Sequence, residues 1–185
     1  MTTPSAPTDT AVTYRIDPAH SLIELSAKYM MFTTVKGRFT GVTGTIVEAS
    51  NDPETASSVD AEIDSASLST GDAKRDEHLR SADFLDVTNF PRISFKSTRV
   101  EGSGEQYRVI GDLTIHGTTR QVTLDTSFNG AGKNPWGMDV ASFSAQTEIN
   151  RKDFGLNWNV ALEAGGVLVS DKVKIQLEVQ AVRES

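Results

Sequence analysis

Three small groups of residues have the types that could do chemistry. Asp17, His20 and Ser21 are the side chains of a hydrolytic triad. A triad is assembled in space, so closeness in sequence lends it no support, and no G-x-S-x-G elbow presents a serine. A structural role at the start of a strand fits these three better. Asp76, Glu77 and His78 are metal-ligand types. Neighbours on a short helix point in different directions and make a poor chelate, so no metal site is expected. Arg75, Arg80 and Arg92 cluster around the same segment, and the planar guanidinium matches phosphate. Pairing with Asp72, Asp76, Asp83 or Asp86, which would pin a helix to the rest of the fold, is the favoured reading. Carboxylates are plentiful in an acidic chain, so no pair singles out an acid–base site. Asp60, Glu62 and Asp64 alternate with Val59, Ala61 and Ile63 and read as the wet face of a strand. His116 precedes Gly117 in a tight turn and is expected to be exposed. No glycine-rich phosphate fingerprint is present. No residue is put forward as catalytic, and the chain is not expected to be an enzyme.

The elements that must position these residues are mostly strands. Val173, Ile175, Leu177, Val179 and Ala181 alternate with Lys172, Lys174, Gln176, Glu178 and Gln180, giving one buried and one wet face. The same period recurs at Ile23–Tyr29, Val59–Ile63, Tyr107–Ile115, Val122–Phe128 and Ala141–Ile149. Residues 34–49 read as a long strand broken by Gly37, Gly41 and Gly44. Glu101–Gly104 and His116–Thr119 read as hairpin turns. The period breaks near residues 73–83, a short helical insertion with Asp72 as its N-cap, and Pro91 marks the return to strand. Asn150–Leu156 reads as a loop packed over one end. About eight one-faced antiparallel strands must bury their apolar sides. A closed barrel does so and removes sheet edges; a sandwich also fits, but the near-sequential hairpins lean toward the barrel.

The 185 residues suffice for one domain, expected at 13–185 behind a disordered tail at 1–12. A formal net charge of −7 disfavours nucleic acid and anionic membrane surfaces as partners. The absence of cysteine excludes disulfides and thiol chemistry. Met1–Val12 has neither a basic start nor an apolar stretch, so a cytoplasmic location is expected.

The run Arg75-Asp76-Glu77-His78-Leu79-Arg80-Ser81-Ala82-Asp83-Phe84, continuing to Pro91-Arg92-Ile93-Ser94-Phe95, resembles the signature of the YceI-like family of polyisoprenoid-binding proteins. Further motifs follow the family order. They are Tyr14–Ser21, Val35–Phe39, Gly111–Thr119 followed by Val122, Asn150–Leu156, and Ser170–Val173. The resemblance spans residues 14–182. It implies an extended, lipocalin-like antiparallel β-barrel whose apolar interior holds a long-chain isoprenoid lipid or isoprenoid quinone. The role it implies is binding, sequestration or transport, with no catalytic cofactor. Transient membrane contact and a homodimer are possible partners in that picture. The chain departs from the family where Tyr29 stands in place of a frequent His. Tyr29, Met31, Phe39, Phe84, Phe90, Phe95, Leu113, Phe143, Phe154 and Trp158 are the residues expected to line the tunnel or its mouth. A packed core has the same sequence pattern. Two other readings therefore stand beside the carrier: an enzyme acting on an isoprenoid or related lipid, and a filled-core barrel serving as an interaction module.

Overall fold

The computed structural model describes residues 11–48 and 57–185. The expected tail lies, up to residue 10, outside the described residues, and Val12 already opens the first strand. In chain order the strands are β1 (Val12–Ile16), β2 (Leu22–Tyr29), β3 (Thr33–Phe39), β4 (Val42–Glu48) and β5 (Ser58–Asp64), followed by helix α1 (Ala73–Arg80). Then come β6 (Arg92–Ser103), β7 (Gln106–Ile115), β8 (Thr118–Lys133), β9 (Asp139–Asn150) and β10 (Lys172–Arg183).

From β4 to β10 each strand pairs antiparallel with the next in sequence. The free edge of β10 is shared by two strands: Ala181–Arg183 pair with β1, and Lys174–Glu178 pair with β2. β1 in turn pairs with β4, and β2 with β3. Thus β1 with β2, and β3 with β4, act as two long staves each broken in the middle, and the ring closes with eight. Of the three glycines expected to break the 34–49 run, Gly41 does so: β3 and β4 are separated at Thr40–Gly41, while Gly37 and Gly44 lie within strands. Gly41 is needed there because a Cβ would meet the Asp64 side chain at 2.9 Å.

The break between β1 and β2 explains Asp17, His20 and Ser21. Pro18–His20 form a 3-10 turn capped by Asp17, whose carboxylate accepts from the Ala19 N–H. His20 Nδ1 lies 2.7 Å from the other Asp17 oxygen. The Ser21 hydroxyl faces away, donating to the Gln180 carbonyl and accepting from the Gln180 N–H. These residues carry the pairing with β10 across the break, and no triad forms.

The barrel has two different ends. At one, the β6–β7 and β8–β9 turns and the ends of β1, β4 and β5 form a rim. The observed β6–β7 turn sits at Gly104–Glu105, slightly beyond the expected Glu101–Gly104. At the other end α1, the 81–91 segment and the 151–170 segment form a cap. The Asp72 carboxylate accepts from the Arg75 N–H, as an N-cap should. The segment just ahead of α1 covers part of the edge that β3 leaves unpaired, because Arg38 and Ser69 exchange backbone hydrogen bonds of 2.9 Å. His116 is half-buried rather than exposed, since its ring packs 4.6 Å from that of Phe90 in a turn where φ is positive at both His116 and Gly117.

Candidate functional site

The inward faces of the strands do not meet at the barrel centre. They enclose a cavity of about 530 Å³ that runs from the rim to the cap. Its wall is mainly aliphatic: Val173, Ile175, Leu177 and Val179 of β10 face Ile46, Val59 and Leu124 from other strands. Many of these side chains are only partly buried, although they point inward, because they border open space. Along β9 the inward set runs from Ala141 to Ile149. That is about 27 Å along the strand, or about 20 Å along the axis once a tilt of roughly 40° is allowed for.

Two bulges decide which side chains face the cavity. A register shift between Ser97 and Arg99 moves the inward parity of β6 from Ile93 and Phe95 to Val100. A second, between Phe128 and Gly130, moves that of β8 from Thr126 and Phe128 to Ala131. A bulge leaves one residue unpaired and bends the strand, which a closing barrel requires. The first shift frees the Ser97 hydroxyl to accept from the Val59 N–H at 2.8 Å.

Five of the ten residues singled out in the sequence line the cavity: Phe39, Phe84, Phe95, Leu113 and Phe143. Phe154 is 1% exposed and sits in the packed core under the cap, outside the cavity wall. Trp158 lies behind the wall, 5.2 Å from the Phe84 ring and edge-on to His78. Phe90 packs on His116 instead. Tyr29 and Met31 are exposed at the β2–β3 turn, because β2 runs past the cavity, to which Ala27 is its last contributor.

Among the described residues the wall carries two charges, at opposite ends. Glu48 is exposed at the rim. Arg151 is 3% exposed at the cap and was not foreseen as part of the wall. Its guanidinium donates to four backbone carbonyls: Ser170 from Nε, Leu156 and Trp158 from one terminal nitrogen, and Val169 from the other. The nearest carboxylate, Asp171, is 3.8 Å away. Burial pushes the Arg151 pKa down from its ordinary value, and Asp171 opposes the shift. Arg151 thus ties the 156–170 segment across the barrel end.

A second polar knot holds α1. Arg80 donates to the Ala66 and Leu68 carbonyls, and Arg75 to the hydroxyl and carbonyl of Thr70. Asp76 accepts from both the N–H and the hydroxyl of Thr70. The arginines therefore pin the helix, as favoured, but through carbonyls more than through the expected acids. Burial is the largest influence on Asp76 and raises its pKa; the Thr70 hydrogen bonds and the charges of Arg80 and Arg75 together outweigh it and hold the carboxyl below its ordinary range. Arg92 faces outward and pairs with Glu62 at 3.2 Å. Asp76, Glu77 and His78 diverge: Asp76 is buried against Thr70, Glu77 is exposed, and His78 Nε2 meets Asp83 at 2.8 Å.

Residues 14–181 match the YceI-like domain. The chain belongs to the YceI-like family. Among curated relatives, a UPF0312 protein of Pseudomonas putida is 36% identical over 177 residues, covering 94% of this chain and 88% of the relative. A UPF0312 protein of Vibrio cholerae is 38% identical over 179 residues, with 94% and 89% covered. Among solved structures, the YceI protein of Campylobacter jejuni superposes with a TM-score of 0.71 at 27% identity, covering 85% of this chain and 90% of that one. A polyisoprenoid-binding domain from Saccharophagus degradans, at 15% identity and a TM-score of 0.70, shares the fold, with 92% and 98% covered.

Proposed function

We propose that this YceI-like barrel binds and sequesters or carries a long-chain amphiphilic lipid, a polyisoprenoid or an isoprenoid quinone. The observation that carries this reading is the long apolar cavity, whose wall, among the described residues, holds charge only at Glu48 and Arg151. A cavity of this volume is within the range of small-molecule sites, roughly 300–1,000 Å³, and its length suits a slender chain better than a compact ligand. Each buried methylene contributes about 0.8 kcal/mol, so affinity can accumulate along a tail with few polar contacts. The remaining polar groups on the wall are hydroxyls, such as those of Thr126 and Thr147, with no acid–base pair beside them. That distribution supports retention of a ligand over its turnover. An open cavity of this size also weighs against the filled-core interaction module.

The test is mass spectrometry of an organic extract from protein purified without detergent. A stoichiometric long-chain lipid is the expected result and would identify its class. An empty extract, repeated after incubation with polyprenyl phosphates and quinones, would overturn the proposal.

A further inference from the structure

The β2–β3 turn is built against backbone preference. Met30 and Met31 have φ of 49° and 66°, and the Phe32 N–H donates to the Tyr29 carbonyl, which together make the tight turn that normally carries Asn-Gly. Two methionines in the left-handed region are strained, and the turn recovers nothing by burying them. Tyr29, Met30 and Met31 are exposed, and Phe32 is 81% exposed.

A second hairpin stands against the first. Leu168 and Val160 are joined by a backbone bond, Ala161 bridges Val167, and the Met30 N–H donates to the Leu168 carbonyl at 2.8 Å. A Cβ on Gly166 would collide with the Met31 sulfur, so the two tips touch. Val160 and Val167 are also exposed. The result is one apolar knob at the cap, formed by two touching hairpin tips. Within residues 29–35 and 158–170 the only charged side chain is Glu163.

We propose that this knob docks the protein on the surface of a lipid bilayer with zwitterionic head groups. The proposal rests on the lipid-carrier reading for its purpose but not for its evidence. The exposed apolar area is on the order of a few hundred Å², the size of the largest patch on a typical soluble monomer, which is often functional. It falls short of the about 800 Å² per partner of a stable dimer. A bilayer needs only a few apolar side chains, with Tyr at the interface and Phe and Met below it. Lys28 borders the knob with its ammonium on the Thr34 hydroxyl, while the net charge of −7 disfavours anionic head groups. Ala27 and Val169, close in sequence to Tyr29 and Val167, line the cavity, so docking sets the cavity's cap on the membrane.

Flotation with phosphatidylcholine vesicles tests this. The intact chain should float, and Phe32→Ser should reduce partitioning about tenfold. Met30→Asn with Met31→Gly should also reduce it while raising the melting temperature, an outcome that a purely structural turn would not give. Trp136, 78% exposed at the β8–β9 turn on the rim, is the control. Trp136→Ser should leave flotation unchanged. Flotation that needs Trp136 but not Phe32, or no flotation of the intact chain, would overturn the proposal. So would sedimentation as a dimer that Phe32→Ser converts to monomer. Phe32-dependent flotation by a protein whose organic extract is empty would support docking and sink the carrier reading, which keeps the two separable.

Discussion

Arg151 and Asp76 do similar work by different chemistry. Arg151 crosses a wall that is otherwise apolar and satisfies four carbonyls of a segment with little regular structure of its own. Arg151→Met keeps much of the stem but strands those carbonyls. Buried groups left unpaired cost about 1–3 kcal/mol each, so a loss of about 3 kcal/mol or more is expected in urea unfolding. Asp76 works through hydrogen bonds to Thr70 and the charges of two arginines. Its folded pKa lies below the unfolded value, so its contribution is fully present above about pH 4 and is lost as pH falls through the folded pKa. Asp76→Asn should therefore cost about 2 kcal/mol at neutral pH. The gap to the parent protein should close as the pH is lowered from about 5 to below 3. A gap that stays constant across that range would show that the charge of Asp76 is not what stabilises α1. The sequence displayed Asp76 among helix-pinning acids, whereas Arg151 was hidden because its partners are carbonyls, which every residue possesses.

Alternation identified nearly every strand, since one-faced burial writes itself into the residue types. The inward sets of β7, β9 and β10 follow the residues named from the sequence. Gly41 marked the break between β3 and β4, but alternation could not place the break between β1 and β2, nor the bulges in β6 and β8. Those depend on which neighbours a strand meets around the ring. It also favoured aromatics as cavity wall, and half of the ten named residues lie elsewhere. An apolar side chain has the same type whether it faces the cavity, as Phe95 does, or the outer layers of the cap, as Phe90 does. Gly111 shows the same limit. It was read simply as an inward position of β7, but a Cβ there would stand 2.6 Å from both the Phe95 ring and the Lys96 carbonyl. The bare Cα lets Phe95 lie across β7 beside the bulge. Gly111→Ala must push either the ring or the adjacent backbone and should cost about 2 kcal/mol, read as a lower urea midpoint. An unchanged midpoint would mean that the β6–β7 pairing is looser than the geometry indicates.

The molecule as a whole is a closed ring of staves with most of its inner surface left partly open, and that choice has a thermodynamic signature. Ala145 pairs with Leu177 on one side and Thr126 on the other, and all three line the cavity. In a filled core, Ala145→Phe would overpack and cost about 1–3 kcal/mol. In the open cavity the ring finds room and, on the proposed carrier reading, takes the place of ligand, so stability after organic extraction should hold or rise while bound lipid falls. The parent protein should behave in the opposite way. A ligand held only by the folded state stabilises it by mass action, about 2.7 kcal/mol at a hundredfold excess over Kd. Extraction should thus lower the melting temperature of the parent and leave Ala145→Phe nearly unmoved. Equal melting shifts for both would mean that the stabilising ligand sits outside the barrel, because the added ring can block only what the interior holds.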